Sequence, residues 1–327
     1  MHRATPKSPQ HTQALLALLL ANLCWGLSFP LIKAIGFVHA QLTPGVSSWF
    51  ITASTLAPRF LLGALVVGMF SLRALRTLTR SELRQGVGLA LFSVAGMVFQ
   101  NDGLLFTSAS TSAFLTQLYA ITIPVWLALR ARRSPSATVW TSCALVVAGV
   151  AVLAQLDWRD LRLGRGELET LICSLFFMGQ ILWLDRAEFA NNRALPVTFL
   201  MFLLQGLATA GMAVVTAPQL GDLLTPWTSG PWVAFMLTLT LFCTVGAYTL
   251  MNAFQPKITA TEAGLIYCVE PVFASILALF LPAWLATFGG FDYPNETATA
   301  SLLIGGGLIT AANVLIQLNP PPKAHAP

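Results

Sequence analysis

The chain is 327 residues long, 56% of them hydrophobic and 9% charged, with a net charge of +5 and a mean hydropathy of +0.72. A soluble domain carries roughly 25% charged residues, so these side chains cannot cover a water-facing surface and a freely soluble protein is excluded. The positive balance does not by itself point to nucleic acid, because in a membrane protein the side on which the charges sit is what matters.

The first dozen residues, MHRATPKSPQHT, are too polar for a signal-peptide core, and no small-residue cleavage site ends the apolar run that follows. That run is expected to be a retained span. Apolar windows of about 20 residues, enough to cross a bilayer as a helix, can be drawn ten times. The first five are 13–36, 52–72, 85–105, 108–129 and 136–156. The second five are 167–184, 195–217, 231–254, 261–284 and 298–318. Only Phe106–Thr107 separates the third window from the fourth, which predicts a short helical hairpin.

Basic residues orient the windows. With the N-terminus in the cytoplasm, Arg3, Lys7, Arg73, Arg76, Arg80, Arg84, Arg130, Arg132, Arg133, Arg186, Arg193, Lys257 and Lys323 fall inside, thirteen of the 18. The loops 218–230 and 285–297 hold none. Both termini are therefore expected in the cytoplasm, with five spans in each half. Halves with an odd number of spans sit upside down relative to each other, the plan from which many secondary transporters build alternating access.

A weak internal echo supports the duplication. Ser108-Ala109-Ser110 and Tyr119 match Thr259-Ala260-Thr261 and Glu270 at a constant offset of 151 positions. The reading is an all-α integral membrane protein of ten transmembrane helices in two inverted five-helix repeats, 1–156 and 167–327, joined by the linker 157–166.

Few polar residues lie deep in the windows. Glu270, followed by Pro271, is about nine residues into the ninth window and about 13 Å deep by helical rise. A carboxylate there costs about 3 kcal/mol on insertion scales. It is either a proton-coupling or substrate-contacting group, or a structural hydrogen-bond partner for a carbonyl freed by Pro271. Tyr119 and Gln117 reach similar depth from the other side, and Tyr119 is expected to face Glu270 across a central cavity. Trp25 and Asn22 in the first window either line that cavity or pack.

Lys33 and Arg59 read most simply as snorkelling to the headgroups, or else as lining for an anionic or zwitterionic substrate. Asn101, with Gln100 and Asp102, reads as a helix-end cluster. Tyr248 and Gln205 read as scattered interhelical hydrogen bonds. The five cysteines fall in five different windows and the four histidines in termini or a loop. No disulfide, metal site, cofactor or catalytic group is therefore read, and no nucleotide-binding loop is present.

Trp25-Gly26 with Phe29 and Lys33, Arg59-Phe60, the run from Thr107 to Pro124, TATEAGLIYCVEPVFA from Thr259, and Gly305-Gly306-Gly307 occur in order along nearly the whole chain. In these stretches the sequence resembles the EamA family of the drug/metabolite transporter superfamily. Family members often carry proline after the tyrosine of the fourth helix, where this chain has Ala120.

The resemblance implies a secondary-active exporter or exchanger of a small organic metabolite, such as an amino acid or drug-like compound, and no enzyme. The expected setting is the cell membrane, a bacterial inner membrane in the first instance. Expected partners are the bilayer, a small-molecule substrate and protons as a coupling ion, with no nucleic acid. An integral-membrane enzyme acting on a lipid-borne substrate is the alternative, but it calls for acids or histidines clustered at a membrane surface, and here they are dispersed.

Overall fold

The computed structural model describes residues 9–130, 132, 134–153, 163–184, 186–255, 258 and 266–318. Within them the chain forms helices and no strand. The first three are α1 (Pro9–Leu42), α2 (Ser48–Leu75) and α3 (Arg80–Leu104). Next come α4 (Ala109–Thr116), α5 (Tyr119–Arg130), α6 (Ala137–Leu153), α7 (Arg165–Leu184) and α8 (Ala194–Thr216).

The run from Gly230 is composite. α9 (Gly230–Thr238) passes into a π-helical stretch, Leu239–Gly246, and then into α10 (Ala247–Phe254). The chain closes with α11 (Glu270–Ala278), α12 (Leu281–Gly289) and α13 (Ala300–Leu318).

Seven of these runs are long and apolar enough to cross a membrane, with α4 and α5 taken as one. They become eight if α11 and α12, bent by 56°, form a single span. α6 and α13 are apolar but shorter. Large apolar side chains such as Phe70 and Val215 are 80% and 85% exposed, a surface that water penalises and hydrocarbon does not.

Helix starts are closed by local chemistry. Thr79 Oγ1 accepts from the Glu82 N–H at 3.1 Å, and the Glu82 carboxylate accepts from the Thr79 N–H at 2.9 Å. That reciprocal pair satisfies two N–H groups that the start of α3 leaves open. Ser108 Oγ accepts from the Thr111 N–H at 3.0 Å and starts α4, so the expected hairpin between the third and fourth windows occupies 105–108.

α3 and α7 pack antiparallel. Arg165 at the start of α7 pairs with Asp102 near the end of α3, while Trp183 near the end of α7 donates to the Gln85 carbonyl near α3's start. α2 and α8 cross with Gly63 against Phe202 and Gly206 against Leu61. α6 and α13 meet backbone to backbone. A Cβ on Gly149 would come 2.8 Å from the Gly305 carbonyl oxygen, and one on Gly305 equally near that of Gly149. Only glycine permits that approach, a device common between membrane helices.

Two expectations need correction. The fourth window is not one helix: it turns at Gln117–Leu118, where the N–H groups of both residues reach back three positions instead of four. Nor does Glu270 lie inside a continuous ninth helix. The chain turns at Cys268–Val269, and Glu270 opens α11. Pro271 accounts for the second break, because it lacks an N–H and its ring clashes with the preceding turn. Glu262, Lys257 and residues 157–162 of the expected linker lie outside the described residues.

Candidate functional site

The two turns bring the polar residues of the mid-bundle together. Gln117, the first residue of its turn and 1% exposed, sends Nε2 towards the Glu270 carboxylate at 3.3 Å and the Tyr267 carbonyl oxygen at 3.2 Å. Tyr119, first after the same turn, interacts with the Gln117 side chain and stands within electrostatic reach of Glu270. Glu270 and Tyr119 are both half-buried. Among the described residues no lysine, arginine or histidine pairs with Glu270, so Gln117 is the group that orients its carboxylate.

Aromatic rings continue the wall. Trp25 of α1 packs edge-on to Tyr248 with centroids 5.6 Å apart, and against Tyr267 at 5.9 Å. The Tyr267 hydroxyl donates to Gln255 Oε1 at 2.8 Å. α1 comes this close because Gly26 has no side chain. A Cβ there would lie 2.9 Å from the Ala274 nitrogen and 2.9 Å from Phe273 Cβ of α11. Rings with polar tips on three elements, around a carboxylate and an amide, suit a small organic molecule with an apolar body and a few polar groups.

Of the sequence candidates, Glu270, Tyr119, Gln117 and Trp25 thus converge. Asn22 and Asn101 do not: each amide bonds back to its own helix, to the Leu18 carbonyl at 2.7 Å and to the Met97 carbonyl at 2.9 Å. Lys33 is held by protein, its Nζ donating to the Thr107 carbonyl at the end of the bundle that also carries Glu296. Arg59 departs furthest from the snorkelling reading. It is 2% exposed, eleven residues into α2, and its Nε donates to Thr244 Oγ1 at 2.8 Å. Asp102, fully buried, is committed to Arg165.

Tyr248, which the sequence offers only as an interhelical hydrogen bond, and Tyr267, which sequence reasoning passed over, join this candidate cluster. A signal was available, since the chain has only four tyrosines and Tyr119, Tyr248 and Tyr267 fall inside apolar windows. A hydroxyl taken into hydrocarbon needs a partner.

Comparison with known proteins gives this arrangement its context. Residues 12–155 match the model of the EamA-like transporter family. Through that region, a little under half of its length, the chain is similar to the EamA-like transporter family. The family is part of the drug/metabolite transporter superfamily, and the chain is a multi-pass membrane protein of that transporter type. It is also 25% identical over 289 residues to an uncharacterized transporter of Archaeoglobus fulgidus, covering 84% of this chain and 82% of the relative. A solved crystal structure of another protein shares the fold. Its TM-score is 0.54 at 17% identity, over 94% of this chain and 97% of that one.

Proposed function

We propose that this protein is an EamA-type secondary-active transporter with ten spans in two inverted halves, 1–156 and 167–327, that exports or exchanges a small organic metabolite. One observation carries the reading. The turns at Gln117–Leu118 and Cys268–Val269 lie 151 residues apart, the offset of the sequence echo, and the residues beside them touch. Broken helices meeting near the midplane, with unwound backbone at the break, are how such proteins build a substrate site.

The packing agrees with a two-fold relation. α2 lies on α8, α6 on α13 and α4 on α11, each the partner that an axis in the membrane plane assigns to it. Glu270 is the coupling group on this reading, taking a proton from one side and releasing it to the other. Gln117, Tyr119 and Trp25 contact the substrate. Both termini lie in the cytoplasm and the protein sits in the cell membrane. The lipid-enzyme alternative loses ground because the site residues gather mid-bundle and not at a headgroup surface.

The test is counterflow in proteoliposomes. Vesicles preloaded with a substrate pool should take up labelled substrate transiently, and an imposed proton gradient should drive net accumulation. Equilibration that neither preloading nor a gradient can overshoot would indicate a channel. Orientation is checked separately: Gly221→Cys should label from outside intact cells and Thr77→Cys should not, and equal labelling would reverse it.

A further inference from the structure

Arg59 is a buried cation with no counter-ion among the described residues. The residue is 2% exposed. Nε is used by Thr244 at 2.8 Å, the Phe60 ring lies 5.2 Å away, and Nη1 is buried with no hydrogen-bond partner. Among the described residues no carboxylate pairs with it. Burying an unpaired charge costs several kcal/mol, and a guanidinium offers five N–H donors in a fixed fork that matches a carboxylate. A purely structural tie between α2 and the Leu239–Gly246 run needs neither the charge nor the spare donors.

The neighbourhood links this cation to the candidate site. Thr244 sits in the π-helical stretch, where it also donates to the Leu239 carbonyl five positions back at 3.2 Å. Such stretches are rare and concentrate at functional positions. Tyr248, one turn on, is within electrostatic reach of both Arg59 and Glu270, and its ring packs on Trp25. Cation, aromatic rings and carboxylate are thus linked neighbour to neighbour through Tyr248.

Resting on the transporter reading above, we propose that Arg59 is the docking point for a carboxylate on the transported molecule, so that the substrates are small acids or zwitterions with an apolar body lying along Trp25 and Tyr248. The carboxylate completes the hydrogen-bond set of the guanidinium and supplies its missing counter-charge. The bound acid leaves Glu270 free to carry a proton or to meet an ammonium group.

The experiment is thermal melting of the purified full-length protein against a panel of small carboxylates, each paired with its amide. Phenylalanine with phenylalaninamide and benzoate with benzamide are included, and sodium chloride is measured at matched ionic strength. A ligand that binds only the folded state raises the melting temperature. Acids should stabilise the wild type beyond their amides. Arg59→Gln should lose that preference, its acid affinity falling about ten-fold or more.

If Arg59→Gln does not fold, Arg59→Lys keeps the charge without the fork. It should bind acids more weakly while its affinity for the amides stays unchanged. The proposal is overturned if no acid stabilises the wild type more than its amide. It is also overturned if chloride saturates the same shift, or if Arg59→Gln retains the acid preference. Counterflow of neutral compounds with acids excluded would sink this proposal while leaving the transporter reading in place.

Discussion

The turn at Gln117–Leu118 and the turn at Cys268–Val269 interrupt their helices at matched positions, but they present different chemistry. The first is followed by Tyr119 and Ala120, the second by Glu270 and Pro271. At neutral pH a phenol keeps its proton, whereas a carboxyl group can give its proton up. Only one of the two breaks is also enforced by proline. The two matched turns thus carry an asymmetric pair of side chains. On our reading the backbone supplies the site twice, and the side chains assign substrate contact to one half and coupling to the other.

The strongest way to break that comparison is Glu270→Gln. The amide keeps the size of the side chain but cannot cycle a proton. Accumulation driven by a pH gradient should collapse to equilibration while counterflow persists. A variant that still concentrates substrate by pH alone would make Glu270 structural, and the two turns would then be equivalent after all.

Gly26→Val tests the approach that brings Trp25 beside the second turn. With Ala274 and Phe273 already within 2.9 Å of the new Cβ, overpacking should cost about 1–3 kcal/mol. Purified protein should melt earlier and bind substrate more weakly, with Gly26→Ala intermediate. An unchanged melting curve for the valine variant would mean that α1 and α11 are not held in this contact.

The smallest effect is expected at the first turn. Tyr119→Phe removes a hydroxyl and no packing, worth about 0.5–1.5 kcal/mol. Affinity should fall about two- to ten-fold with the pH dependence of transport intact. Loss of that dependence would transfer coupling to Tyr119 and sharpen the comparison in the opposite sense.

Much of this was legible in the sequence, and for physical reasons. Membrane helices need long apolar runs, so all ten windows meet helical segments, and the expense of a carboxylate in hydrocarbon singles out Glu270. The echo between Tyr119 and Glu270 pointed to the two residues that stand beside the turns. The turns themselves were hidden, since Ala120 carries no breaking signal and the effect of Pro271 was read as a freed carbonyl within one helix. Arg59 and Lys33 were assigned to the headgroups by their positions along the chain. Their surroundings depend on Thr244 and Thr107, on other helices, which periodicity cannot reveal. Gly26 stands out in the sequence only through the Trp25-Gly26 resemblance, and its physical reason lies in Phe273 and Ala274, far along the chain.

The end of the bundle bearing the 105–108 and 290–299 connections is tied by charge. Glu296 accepts from the Ala109 N–H at 2.7 Å and from the Ser110 hydroxyl, Lys33 donates to the Thr107 carbonyl, and Arg165 joins Asp102 to Glu169. Ties of this kind at a wet rim loosen when dissolved ions screen them, over about 10 Å at 0.1 M salt but about 3 Å at 1 M. Apolar seals do not loosen in this way. We therefore expect salinity on that side to act without a binding pocket, through the half-exposed Arg165 and its neighbours, on how often the rim opens. We expect a cysteine placed at Tyr119 to react faster with an external thiol reagent in 1 M salt than in osmotically matched sucrose. Equal rates would mean that the rim is held shut by something other than charge.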